Sequence, residues 1–275
     1  MKKLLLILGL VLSSSLIFGQ TAILGDPMKP VPEKVTGVVD GNPPSDAIVL
    51  FDGTNMDAWE HVRTGEASQW HIEDGIVTVN NGTGTLVSKQ SFSDIQMHIE
   101  WRPNGEILGQ GQSRGNSGIF MQSLFEIQML DSWENPTYVN GQAGSVYHQY
   151  PPLVNASNPP GEWQTYDIIF KAPIYDRDGN LESPAYITLL HNGVLVLNHV
   201  EVIGSTFPQV PEYKATCEPY ELRETMDCTG KLPLLLQDHG QVVSFRNIWL
   251  RHCLLYTSDA ADDTPCVDLG GRRII

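Results

Sequence analysis

Positive charge is scarce in this chain. Lysine and arginine number 17 against 32 aspartates and glutamates in 275 residues, a formal charge of −15. Neutralising phosphates needs clustered cations, so nucleic acid is excluded as a main partner and anionic polysaccharides are disfavoured. Cysteine is also rare, with four residues. Cys253 and Cys266 fall near the C-terminus. Cys217 and Cys228 lie in a polar stretch between strand-like segments, where a disulfide would pin the loop locally, and the spacing matches no zinc site. Helical periodicity is missing: no run of fifteen residues keeps a helical repeat without Gly or Pro. Past the N-terminal segment, no apolar run reaches the length of a membrane span.

What the chain has in quantity is turn formers, 25 Gly and 18 Pro. At the N-terminus, Lys2 and Lys3 precede an apolar run from Leu4 to Leu12, three serines, and then Leu16 to Gln20. This is the layout of a secretory signal cleaved after Gly19, so the protein reads as exported, periplasmic or secreted. Residues 20–45 carry Pro27, Pro30, Pro32, Pro43 and Pro44 and read as an extended arm. Patterned sequence fills 46–252, and residues 253–275 resemble a translated sequencing adapter, a non-native tail to which no function is assigned.

Strand signals dominate the body. Asp74-Gly75 divides two alternating runs within Trp70 to Val79, and Asn192-Gly193 divides Ala185 to Leu190 from Val194 to His199. Both read as hairpins. From Ile95 to Arg102 the alternation is strict. Ile95, Met97, Ile99 and Trp101 share one face; Gln96, His98, Glu100 and Arg102 share the other. Gly118 to Gln122, Phe125 to Leu130, Trp163 to Phe170 and Val242 to Arg251 complete the series. Evenly spaced strands between turn signals predict an all-β sandwich or jelly roll. Trp59, Trp70, Trp163 and Trp249 alternate with polar neighbours and read as core. The mixed-charge face of Ile95 to Arg102 is a cross-strand ladder or a binding surface, and periodicity alone favours the ladder.

Three segments could carry chemistry. The glycine-rich stretch Gly109 to Phe120 allows close backbone approach and offers Arg114 and Asn116 as donors. It lacks the lysine of a phosphate loop and leads into a strand. In Phe125 to Ser132, alternation puts Glu126 and Gln128 opposite Phe125, Ile127 and Met129. In Leu236-Gln-Asp-His-Gly240, His239 stands where a strand end can present an imidazole to a cleft. The lone histidines His61, His71, His191 and His199 read as structural. Trp133 and Tyr138 could stack on a sugar.

Read together, LFDGTN at 50–55 with Trp59, EWR at 100–102, RGNSGIF at 114–120, FEIQ at 125–128, LDS at 130–132 and FRNIW at 245–249 resemble one family. It is the domain once called DUF1080, described as 3-keto-disaccharide hydrolase or 3-keto-glucoside lyase and hydratase. NGQAG at 140–144, PPGEWQTYD at 159–167 and LHNGV at 190–194 support the resemblance, which spans roughly Ile48 to His252.

The resemblance implies a concanavalin-like jelly roll of two antiparallel sheets. It also implies chemistry on a sugar already oxidised at C3 by a separate oxidoreductase. A C3 ketone acidifies the C2 hydrogen, a base removes it, and the enolate expels the group on C1. No paired glycosidase carboxylates are required. The resemblance makes Glu126 or His239 the candidate base or acid. Arg114 or Arg102 could stabilise the enolate, a task for which a divalent metal is also suited, with His98, Glu100, Glu126 and His239 as ligands. Glu100, Arg102, Asn116, Gln128, Tyr138 and Gln237 are the expected substrate-binding residues. Two readings compete. A carbohydrate-binding module would share the fold without turnover. A retaining glycosidase on this fold would typically present two acids two residues apart, and Gln128 after Glu126 argues against it.

Overall fold

A computed structural model of the chain describes residues 32–176, 178–206, 210–213 and 230–253. The expected signal segment, Cys217 and Cys228, and the tail from residue 254 onward lie outside the described residues. Cys253 is a free thiol. Within the expected arm, residues 32–45 have little regular structure beyond a bridge between Val39 and Asn42.

The described residues form strands and short turns. In chain order the strands are β1 (Ile48–Phe51), β2 (Trp59–His61), β3 (His71–Glu73), β4 (Ile76–Thr78), β5 (Leu86–Phe92) and β6 (Ile95–Pro103). β7 (Ser117–Met121), β8 (Phe125–Met129) and β9 (Gln164–Lys171) follow, then the short pair β10 (Ile174–Tyr175) and β11 (Leu181–Ser183). The last are β12 (Tyr186–His191), β13 (Val194–Glu201), β14 (Leu232–Leu236) and β15 (Val243–His252). Two 3-10 turns, Gly111–Ser113 and Val139–Gly141, are the only helical elements among the described residues.

Apart from β10 and β11, which pair with each other, the strands make two packed antiparallel sheets. One has eight strands, ordered β13-β12-β9-β6-β15-β4-β3 with β1 also paired to β15. The other has five, ordered β2-β5-β14-β7-β8. Alternation explains the layering. Ile95, Met97, Ile99 and Trp101 of β6 enter the same buried cluster as Ile119 and Met121 of β7 and Phe125, Ile127 and Met129 of β8. The two predicted hairpins form at their glycine turns. Asp74 and Gly75 have φ of 51° and 77°, and Asn192 and Gly193 have 51° and 76°, the left-handed pair that such turns require.

β14 carries the sequence LPLLL, and a proline inside a strand argues against central placement. It nevertheless lies between β5 and β7. The pairing with β5 slips between Pro233 and Leu235, and Leu234 N donates to Ser88 Oγ instead of a ladder carbonyl (2.9 Å). Trp59 and Trp70 enter the core cluster as expected, whereas Trp249 is buried outside it, stacked on His98 with ring centroids 5.3 Å apart. Trp163 is not core. It lies half-buried, with the guanidinium groups of Arg102 and Arg246 4.6 and 4.1 Å from its ring centroid.

Candidate active site

The face of the five-stranded sheet that points away from the core concentrates the unusual groups. On β8, Glu126 and Gln128 point outward between the core residues Phe125, Ile127 and Met129, yet both are almost fully buried. The registers extend this face across neighbouring strands. Phe120 pairs with Glu126 and with Leu235; Gly118 pairs with Gln128, and Gln237 N donates to Gly118 O (3.0 Å). On the other side of β8, Tyr147 N donates to Glu126 O (3.1 Å) and Ile127 bridges Val146. One row therefore runs Leu235, Phe120, Glu126, Tyr147, and the next runs Gln237, Gly118, Gln128, Ser145. Directly opposed residues in such rows have Cβ atoms roughly 5 Å apart.

Gly118 makes the hollow in this surface. A Cβ built on it would lie 2.6 Å from Glu126 Oε1, so the carboxyl fills the space that any other residue would need. The Glu126 carboxyl has no hydrogen-bond partner among the described residues, and burial raises its pKa to about 8. Around it, Gln128 Oε1 and Gln237 Oε1 are buried without partners. Buried acceptors are ordinarily satisfied, so the oxygens of Gln128, Gln237 and Glu126 on this one face are free to accept from a hydroxylated ligand.

Hydrogen bonds fix the glutamines. Gln112 is the hub: its Oε1 accepts from Gln128 Nε2 (2.9 Å), its backbone O accepts from Asn116 Nδ2 (2.8 Å), and its Nε2 donates to Gly141 O (2.9 Å). Aromatic rings border the site. The hydroxyls of Tyr138 and Tyr147 are 2.6 Å apart, and the Tyr147 ring stacks on His148 with centroids 4.1 Å apart. Burial, the bond to Tyr138 and the Glu126 charge all raise the Tyr147 pKa, so its phenol stays a neutral donor. Trp133 and Tyr138 are both exposed.

The expected site residues thus divide into groups. Glu126, Gln128 and Gln237 share the outer face of the five-stranded sheet, with Asn116 attached through Gln112 and Tyr138 through Tyr147. Arg114 does not meet Glu126. It lies six residues before Phe120, the partner of Glu126, with Nε donating to Asp131 Oδ2 (2.6 Å) and Nη2 to Trp133 O (2.8 Å). His239 is exposed on the turn after β14, two residues beyond Gln237. Glu100 and Arg102 lie on the opposite side of the sandwich, outside the eight-stranded sheet. There Glu100 accepts from Arg246 Nε (2.6 Å) and Asn247 Nδ2 (2.9 Å), and His98 Nδ1 is 2.7 Å from Asp167 Oδ1. This is the ladder that periodicity favoured.

The suggested metal ligands therefore do not fit one ion, since His98 and Glu100 are separated from Glu126 by the whole sandwich. Among the described residues no group of three or more His, Cys, Asp and Glu could hold a metal. Gln112, Tyr147 and His148 were missed in the sequence. Gln112 sits in a glycine-rich loop without periodicity, and only the cross-strand pairing places Tyr147 beside Glu126.

A two-sheet jelly roll with a buried carboxyl and bare amides on one outer face is the build of a carbohydrate-active domain. The chain belongs to the family of 3-keto-alpha-glucoside-1,2-lyase-like domains, which it matches over residues 46–251. A crystal structure of a Parabacteroides distasonis protein, named there as a candidate glycosyl hydrolase, is 45% identical. That match covers 82% of this chain and 93% of that one, with a TM-score of 0.73. A second candidate glycosyl hydrolase from the same organism is 20% identical over 76% of this chain and 94% of its own. Its TM-score of 0.52 bears on the fold alone. Comparison with curated proteins finds no match. No helix among the described residues is long and apolar enough to cross a membrane.

Proposed function

We propose that this domain, acting outside the cytoplasm, cleaves glycosides whose sugar carries a ketone at C3. The observation that carries the reading is Glu126: a carboxyl buried to 3% exposure, unpartnered, with its pKa raised to about 8. A carboxylate desolvated in this way is a stronger base than an ordinary one. It takes the C2 proton, which the C3 ketone acidifies, and the electron pair moves onto the C3 oxygen as an enolate. The enolate collapses to a C1–C2 double bond, the C3 carbonyl reforms and the C1–O bond breaks. The Tyr147 hydroxyl, linked to Tyr138, gives the leaving oxygen its proton. Water then adds at C1 and a proton returns to C2, so elimination followed by hydration amounts to hydrolysis. A separate oxidoreductase must first supply the ketone.

The bare oxygens of Gln128 and Gln237 accept from sugar hydroxyls, and Gln112 and Asn116 hold Gln128 in place. Tyr138 and Trp133 offer faces for a ring. Arg114 fixes the Asp131–Trp133 segment at the site's edge and acts through it. His239 borders the mouth. The alternative is a binding module, favoured by the same bare amides and aromatic rings but giving no purpose to an unpaired buried carboxyl. Incubating the protein with a 3-keto-disaccharide and its unoxidised parent, followed by mass spectrometry, separates the two. Cleavage of the keto sugar alone is expected, and binding of both sugars without cleavage would favour the module.

A further inference from the structure

Beside the glutamine row lies a cleft that the chemistry above does not use. It measures ≈ 450 Å³ and is lined by His61, Val62, Thr85, Asp238 and Gly240, among others. That volume is within the range of about 300–1,000 Å³ usual for ligand sites. The registers connect it to Glu126 in two ways. Leu86 of β5 pairs with Leu236, which sets Thr85 opposite Gln237, and Asp238 N donates to Thr85 Oγ1 (3.2 Å). The row from Gln128 through Gly118 and Gln237 thus ends in the cleft. Val62, on its floor, belongs to the same small apolar cluster as Val87, Leu235 and Phe120, and Phe120 pairs with Glu126. From Gly118 to Thr85 is two strand spacings, about 10 Å, a span that a disaccharide covers.

The polar groups of the cleft suit a neutral, hydroxyl-rich ligand. His61 Nδ1 accepts from Arg63 N (3.2 Å) and Thr64 N (3.1 Å), which leaves the ring proton on Nε2. That Nε2 has no hydrogen-bond partner among the described residues. Gly84 lies against it with φ +101°, and a Cβ there would sit 2.2 Å from Nε2, so glycine is what leaves the imidazole edge free. The Asp238 carboxylate is already consumed by the amides of Gly82 (2.8 Å), Gly84 (3.0 Å) and Gly240 (2.8 Å). Arg63, at the rim, has a partner of its own. What remains for a ligand is the His61 ring edge, set among glycine backbone and the side chains of Val62, Thr83 and Thr85.

We infer that this cleft is the leaving-group subsite, and that His61 Nε2–H donates to a hydroxyl of the sugar expelled from C1. The inference rests on the 3-keto-glycoside reading and adds a preference for sugar over small alkyl leaving groups. It is tested by the ratio of kcat/KM for a 3-keto-disaccharide to that for methyl 3-keto-glucoside. His61→Asn keeps an acceptor for the Arg63 and Thr64 amides but removes the outer donor, and His61→Ala removes both. Loss of one hydrogen bond lowers the ratio about tenfold in each folded variant. Cleavage of both substrates with an unchanged ratio in His61→Asn overturns the subsite alone. If the unaltered protein cleaves neither substrate, the functional reading falls and the subsite with it.

Discussion

Gly118 and Glu126 are interlocked: the carboxyl of one occupies the position that a side chain on the other would take, with Oε1 2.6 Å from a Cβ built on Gly118. Gly118 is in strand conformation, so the constraint is space. Gly118→Ala must turn Glu126 away from the hollow or shift β7 against β8. The expected result is a folded protein with kcat/KM on a 3-keto-glycoside reduced about 10²-fold, since displacing a catalytic group by about 1 Å costs that much. Near-normal activity in a folded Gly118→Ala protein would contradict the catalytic role proposed for Glu126.

In the proposed reaction Glu126 must be ionised to take the proton. Because burial raises its pKa to about 8, activity on a 3-keto-glycoside should climb through that pH and level off above it. Glu126→Gln keeps the shape and removes the base, and kcat should fall ~10²–10⁴-fold with the pH dependence abolished. Stability should move the other way. The folded state holds its proton between pH 4.5 and about 8 while the unfolded state does not, so the wild type loses stability across that window as pH rises. In Glu126→Gln that loss should disappear, as Tm measured against pH would reveal.

Much of the fold was legible because its signals are local. Asn192-Gly193 needs only two residues to specify a turn, and the alternation of Ile95 to Trp101 needs only a period of two. β14 was not legible, because Pro233 breaks the pattern and its compensation lies in a slipped register and in Ser88, far away in sequence. The site divides in the same way. Glu126 and Gln128 stand in one motif and were found together. Glu100 and Glu126 were both expected at the site, yet nothing in a one-dimensional pattern tells which sheet, or which side of it, carries a polar face. Tyr147 became visible only once Val146 paired with Ile127.

The ladder outside the eight-stranded sheet should govern stability and not turnover. The imidazole of His98, 3.7 Å from Glu100 Oε1, with help from Asn247 and Arg246, outweighs burial and holds Glu100 down at about 2. Burial would lower His98, but its hydrogen bond to Asp167 and the nearby Glu100 carboxylate prevail and raise it to about 9. Glu100 therefore contributes fully above its ordinary 4.5 and is lost as pH falls toward 2. His98 contributes fully below its ordinary 6.5 and is lost as pH rises through 9. The ladder is strongest between those ordinary values. Glu100→Gln should flatten the acid limb of the Tm profile while kcat/KM stays within about twofold of wild type, since surface substitutions away from a site have small effects. A large loss of activity in that variant would restore Glu100 to the substrate-binding set.

Arg114 poses the complementary case of a charge that is structural although it borders the site. Arg114 is 8% exposed and its partner Asp131 3%, so the pair is desolvated together. Removing one member of a buried pair leaves the other uncompensated, at a cost of about 3–5 kcal/mol. For a domain of this size that lowers Tm by on the order of 10 °C. Arg114→Met should therefore be strongly destabilised, and Arg114→Met with Asp131→Asn less so, because the second change removes the stranded charge. If Arg114 instead met the enolate, the double variant would recover stability and remain as inactive as Glu126→Gln. Since Arg114's hydrogen bonds among the described residues go to Asp131 and Trp133, the double variant should recover stability and keep a larger share of kcat than Glu126→Gln. Thermal melts and steady-state kinetics on the same preparations decide between the two.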